Sequence, residues 1–204
     1  MSNHRTWAEI IAADPAHSRR YANRWRTFAR EGRDIHGEAR LIDAMVPRSA
    51  RVLDAGCGQG RVGGHLSGAG HSVVGVDIDP YLIGEARSQH PMATWLVGDL
   101  KGVGSLLADD VAKNGAFDAI VAAGNVLTFI DPKDRMQVLT GLASVLGDNA
   151  RAVFGFGSGR GWEFSQFEQD VHEAGMEIRM KFSTWDLRPF DATSNFLVAV
   201  CEKA

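Results

Sequence analysis

The chain has 204 residues, 45% of them hydrophobic and 23% charged, enough for one domain with a full core and too few for two comfortable ones. A formal charge of −3 excludes a bulk electrostatic pull toward nucleic acid or membrane. No apolar run approaches the ~18–20 residues of a membrane span. Cys57 and Cys201 lie far apart without metal-ligand spacing, which argues against a disulfide scaffold or a metal site. The sequence opens without the basic-then-apolar pattern of a secretion signal, and a cytoplasmic protein is expected.

The charge is uneven. Residues 1–33 hold seven arginines against Glu9, Asp14 and Glu31, a net of +4, leaving −7 for the remainder. A solvated helical face accounts for that excess. Residues 1–46 read as helices. In 16–31, Tyr21, Trp25 and Phe28 recur at i, i+4 and i+7 and form one apolar stripe. A second helix over about 34–46 places Ile35, Ile42 and Met45 on one side and ends at Pro47.

From Arg51 short apolar runs alternate with helical segments. Runs at 52–54, 71–76, 94–97, 117–123 and 150–156 have the continuous apolar character of parallel strands buried on both faces. Asp79-Pro80 and Asp131-Pro132 each read as an N-cap followed by proline in the first helical turn. The helix 132–146 should stop at Gly147, and another, about 163–174, at Gly175. Residues 176–185 and 196–201 read as strands joined by 186–195, a connection too short for a parallel crossover, so they should pair antiparallel. The expected fold is α/β: a doubly wound, mostly parallel seven-stranded sheet with an antiparallel last strand and an N-terminal helical cap. One domain is expected over 1–204, with helices or a lid at 1–46, a ligand-binding core at 50–156, and a substrate-side loop, helix and strand pair at 157–204.

The most informative stretch is Asp54-Ala55-Gly56-Cys57-Gly58-Gln59-Gly60-Arg61, which follows the first strand and opens a helix. Its glycines allow a sharp turn and close approach of backbone to a ligand. The second strand ends at Asp77, 21 residues after Gly56, where an acid can accept both hydroxyls of a ribose. The third ends in Gly98-Asp99-Leu100, another acceptor at the same sheet edge. These features also suit a nicotinamide dinucleotide. Arg61, however, stands where that fingerprint needs a small residue. Asp54 would repel a pyrophosphate, whereas it would favour a sulfonium and an ammonium.

The chain resembles the class I S-adenosylmethionine (SAM)-dependent methyltransferases. Asp54 to Gly60 matches their D/E-x-G-x-G-x-G motif, Val76-Asp77-Ile78-Asp79 the acidic end of their second strand, and Gly98-Asp99-Leu100 their adenine-side motif. Phe117 to Asn125 matches their fourth strand. The resemblance implies the strand order 3-2-1-4-5-7-6 and SAM; no metal is expected, because the sequence offers no metal-ligand cluster. It also implies a cofactor site of Asp54, Ala55, Gly56, Cys57, Gly58, Arg61, Asp77, Ile78, Asp99, Leu100, Gly124 and Asn125. Within it Gly56 and Gly58 would cradle the methionine moiety, Asp77 the ribose, Ile78 and Leu100 the faces of adenine, and Asp99 its amine. Arg61 would either bind the methionine carboxylate or lie along its helix. Cys57 reads as a turn residue and Asp79 as an N-cap.

Methyl transfer is an in-line displacement for which the cofactor carries the activation, so no catalytic residue is demanded. Substrate-side candidates are Glu38, Asn125, Arg160, Trp185, Asp186 and Arg188, with Tyr21, Arg24 and Trp25 able to close over the top. An Asp186–Arg188 loop pair, and core roles for Trp162, Trp185 and Phe190, are the structural alternatives. Gly124-Asn125-Val126-Leu127 replaces the N/D-P-P-Y of nucleic-acid amine methylases, which argues against a nucleobase amine. A small-molecule acceptor is expected over RNA or protein because no recognition domain is appended and the basic excess is confined to one segment. A nicotinamide-dependent oxidoreductase and a SAM-binding module without turnover are the competing classes.

Overall fold

A computed structural model describes residues 5–204; residues 1–4 of the segment read as helical lie outside the described residues. Three helices lead, α1 (Trp7–Ala13), α2 (His17–Arg30) and α3 (Gly37–Met45). A capping box starts α1: the Glu9 amide donates to the Thr6 hydroxyl, and the Glu9 carboxylate accepts from the Thr6 amide. The apolar stripe of α2 packs edge to face, with Tyr21 and Trp25 ring centroids 6.4 Å apart and Trp25 and Phe28 5.7 Å.

Beyond them come β1 (Arg51–Ala55), α4 (Arg61–Gly68), β2 (Ser72–Asp77), α5 (Pro80–Gln89) and β3 (Thr94–Val97). Then follow α6 (Val103–Leu106), α7 (Ala108–Asn114), β4 (Phe117–Ala122), α8 (Arg135–Val145) and β5 (Leu146–Gly157). The chain closes with α9 (Phe164–Glu173), β6 (Met176–Phe182) and β7 (Phe196–Lys203). They form one seven-stranded sheet of order β3-β2-β1-β4-β5-β7-β6. The pairs β1–β2, β1–β4, β2–β3 and β4–β5 are parallel, and β7 runs antiparallel to both β5 and β6. Topology and strand order therefore match the expectation. Among the described residues, no helix is long and apolar enough to cross a membrane.

Strand alternation explains why both faces are covered. Val52, Val73, Val121, Val153 and Val198 point to one side and pack on Ala39 and Ile42 of α3 and Val62 and Leu66 of α4. Leu53, Val74, Ile120, Phe154 and Phe156 point to the other, against Val138, Leu139 and Leu142 of α8 and Phe167 and Val171 of α9. Strands buried on both sides cannot show polar alternation, and their sequences do not.

Three of the boundaries that differ from the sequence reading have a physical reason. Pro132–Asp134 form a separate 3-10 turn before α8. Gly147 does not stop that helix: Leu146 is already extended and pairs with Phe117, so burial in the sheet ends α8 one residue earlier. The strand expected to reach Trp185 stops at Phe182, because the Ser183 amide donates to the Arg188 carbonyl (2.8 Å) and the chain turns back on itself.

Candidate functional site

A crevice of about 290 Å³ opens at the carboxyl ends of β1, β2, β3 and β4. It is lined by Gly56, Gly58 and Gly124, by Asp77, Ile78, Gly98, Asp99 and Leu100 at or just after the ends of β2 and β3, and by Val126, Phe129 and Ile130 after β4. Trp7 of α1 and Tyr21 of α2 close it from above. Open α/β sheets place ligands at this edge, beside the point where strand order reverses.

The turn after β1 is built by left-handed glycines. Gly56 has φ +76°, and a Cβ there would lie 2.3 Å from the Val126 side chain. At Gly60 (φ +81°) a Cβ would meet the Trp95 ring at 2.8 Å. The third glycine therefore admits a core tryptophan rather than a ligand. Cys57 joins the same small cluster with Ile83, Ala86 and Trp95, a buried turn residue as its sequence context suggests.

Asp54 is 2% exposed, and its carboxylate accepts the amide hydrogen of Gly63 at 2.7 Å, in the first turn of α4. Burial pushes its carboxyl up to about 7, against the partial relief of that hydrogen bond. Asp77 accepts from the Gly58 amide (2.8 Å) and the Asp79 amide (2.9 Å), and burial raises it to about 6. Asp99 is more open: it accepts from the Lys101 amide at 3.0 Å and lies 3.4 Å from the Lys101 ammonium.

Asp79 is an N-cap, as read, and something more. One of its oxygens accepts from the Tyr81 and Leu82 amides at the start of α5; the other accepts from Trp7 Nε1 (2.9 Å) and the Ser18 hydroxyl. It thereby docks α1 and α2 on the sheet beside Asp77. Trp7 completes the roof through edge contacts with His17, Tyr21 and Phe129, centroids 5.1–5.4 Å apart.

A second, much smaller chamber of about 20 Å³ adjoins the crevice under α2, lined by Tyr21, Trp25, Asp54, Gln59, Arg61 and Gly124 among others. Arg61 is not available as an open anion site. It forms a two-pronged ion pair with Glu38 (2.6 and 2.7 Å), donates to the Ile35 carbonyl and stacks 4.3 Å from the Trp25 ring centroid. Glu38, read as a substrate-side residue, is thus the partner that fastens α3 to the glycine turn.

The remaining substrate-side candidates lie off the crevice. Asn125, left-handed at φ +67°, accepts the Gly157 amide hydrogen (2.8 Å) and staples β4 to β5. Trp185 covers Gly155, where a Cβ would lie 2.3 Å from its ring. Asp186 and Arg188 form an exposed pair at 3.7 Å. Arg160 is exposed beyond the end of β5, next to Gly157. Trp162 is fully buried and donates to Asp170 at 2.9 Å, and Phe190 packs on Phe164. The structure adds Trp7, Leu82, Phe129 and Ile130 to the crevice lining. The signal for Trp7 was the Thr6-x-x-Glu9 capping box, which places an aromatic at the first position of a helix.

The comparisons with known proteins agree with this geometry. Residues 52–149 match the family model described as a methyltransferase domain. A TehB-like SAM-dependent methyltransferase from Corynebacterium glutamicum, known as a crystal structure, is 50% identical. The match covers 94% of this chain and 100% of that one, with a TM-score of 0.86. Magnesium-protoporphyrin O-methyltransferase of Rhodobacter capsulatus is 36% identical over 143 residues, 68% of this chain and 58% of that protein. The 18S rRNA (guanine-N(7))-methyltransferase of Bos taurus is 29% identical over 145 residues, 60% of this chain and 50% of that protein. The chain spans only about half to three fifths of these two curated relatives. With the sheet order, the glycine turn and the two strand-end acids all in place, the chain belongs to the SAM-dependent methyltransferases.

Proposed function

We propose that the chain binds SAM along the β1–β4 edge and transfers its methyl group to a small-molecule acceptor. One observation carries the choice of cofactor. In dinucleotide-binding folds the pyrophosphate rests on the amides at the start of the first crossover helix. Here Asp54 holds the Gly63 amide in that first turn, so a carboxylate stands where the anion would have to bind. The residues present fit an adenosyl sulfonium instead. Ile78, Leu82 and Leu100 offer apolar surface to a purine, with Asp99 beside them as acceptor for an amine, and Asp77 faces the same space for a ribose.

When bound, SAM supplies an electrophilic methyl group. The chain holds donor and acceptor in line and excludes water under the Trp7–Tyr21 roof. No side chain is assigned as a base. Arg160, at the end of β5, is the proposed anchor for an anionic acceptor. A small acceptor is favoured over RNA because five of the seven N-terminal arginines have acidic or aromatic partners within the chain. Arg20 and Arg26 pair with Asp14 and Glu85, while Arg19, Arg24 and Arg33 lie over Tyr81, Tyr21 and Phe28. The proposed compartment is the cytoplasm, which suits two buried free cysteines.

Thermal melts with SAM, S-adenosylhomocysteine (SAH), NAD and NADP test the cofactor. SAM and SAH should raise the melting temperature in proportion to ligand excess over Kd. Stabilisation by the nicotinamides alone would overturn the proposal. Activity on RNA that falls steeply with salt would move the acceptor to nucleic acid.

A further inference from the structure

We propose that the cap helix α2 helps recognise the amino-acid end of the cofactor, with the Trp25 indole N–H donating to its α-carboxylate and the Gln59 amide oxygen accepting from its α-ammonium. The inference rests on the SAM reading above and concerns the small chamber under α2. That chamber and the main crevice share three lining residues, Tyr21, Gly56 and Gly124. A ligand whose nucleoside fills the crevice and whose chain continues across Gly56 therefore ends in the chamber.

The chamber walls carry polar groups with nothing to bond. Gln59 is 7% exposed, and its side-chain oxygen has no hydrogen-bond partner. Trp25 Nε1 is equally sealed from solvent and has none either. Burial holds the neighbouring Tyr21 phenol in its neutral form, and the indole N–H does not meet hydrogen-bond geometry with it. Buried polar groups in folded proteins are nearly always satisfied, so an unpaired donor and an unpaired acceptor on two residues that line one space suit a zwitterion. Charge placement agrees. Arg61 is neutralised by Glu38, which leaves the carboxylate to a neutral donor, and Asp54 on the chamber wall favours a cation beside Gln59. At about 20 Å³ the chamber holds roughly one water, so α2 must yield when the end group enters.

Calorimetric titration of the full chain with SAH and with 5′-methylthioadenosine, which lacks the amino-acid end, separates the possibilities. In Trp25→Phe, which keeps the ring and loses the N–H, SAH should bind about tenfold more weakly or worse, as for a lost hydrogen bond to a charged group. Methylthioadenosine binding should stay within about twofold, within the scatter of changes that touch no contact. Gln59→Leu should show the same split and carries the test if Trp25→Phe does not fold. Equal weakening of both ligands, or of neither, overturns the inference. Wild-type protein that binds neither overturns the SAM reading itself.

Discussion

The ligand edge of the sheet is built in two ways. Over β1, β2 and β3 the strand ends carry carboxylates, and the space above them is hollow: Asp77 and Asp99 face a 290 Å³ crevice. Beyond β5 the same edge is filled with rings. Trp162 lies against Phe156 and Phe167, Phe164 meets Phe190, and Trp185 seats on Gly155. Hollow and acidic on one side, filled and aromatic on the other, the two halves suit different tasks, the open one binding and the packed one stability. Burial raises the Asp54 and Asp77 carboxyls, so ionising either costs stability, whereas the buried rings contribute it.

Substitutions can break that division. The largest effect is expected at Trp162, where Ala leaves a cavity among Phe156 and Phe167 and should cost about 3–5 kcal/mol. Urea titration measures the loss, while SAH affinity per folded molecule should hold. A fall in affinity larger than the unfolded fraction explains would show that the aromatic half also binds ligand.

Asp54→Asn should act in the opposite sense. The native carboxyl titrates at about 7, above its ordinary 3.8, so the folded chain keeps a proton that the unfolded chain releases between those values. Stability therefore falls as pH rises through that window. The amide avoids the ionisation cost and can still accept from Gly63. It should stabilise the ligand-free protein by about 2–4 kcal/mol at pH 8, a gain that shrinks as pH falls toward 4. Equal gains at pH 8 and pH 4, measured by urea melts, would refute the account.

Asp77→Ala comes next. It should weaken SAH binding by about 1.5–3 kcal/mol, the worth of hydrogen bonds to a charged acceptor. The melting temperature of the free chain should move little, because removing a desolvated carboxylate offsets the loss of its bonds from the Gly58 and Asp79 amides. In the wild type this carboxyl is held up at about 6, so affinity should decline as pH drops below that point. Calorimetry across pH 5–8 checks both. At the small end, Asp186→Ala should alter neither SAH affinity nor melting temperature, because the Asp186–Arg188 pair is exposed. A change in the KM of an identified acceptor would sharpen the comparison by assigning that loop to substrate.

The sheet and its acids were legible for a physical reason. Strands covered on both faces carry continuous apolar runs, and a carboxylate ending such a run, as at Asp54 and Asp77, stands out. Gly147 misled because glycine's helix-stopping tendency is weak beside the burial of Leu146 against Phe117. Arg61 and Glu38 could each be read as facing a ligand. Nothing local shows that residues 23 positions apart will meet, and their pairing exists only once α3 lies on α4. The roof was half legible: the stripe of Tyr21, Trp25 and Phe28 marked α2, whereas Trp7 depends on a carboxylate 72 positions away.

That carboxylate, Asp79, has a dynamic consequence. Helix α1 buries no residue of its own, so it would exchange its amide hydrogens with solvent almost as freely as an isolated peptide were it not tied down. Its tether is shared with the first turn of α5, where the Tyr81 and Leu82 amides bond to the other oxygen of the same group. Lifting the roof thus disturbs the cap of a core helix, and deuterium uptake at Tyr81 and Leu82 should keep time with that in α1.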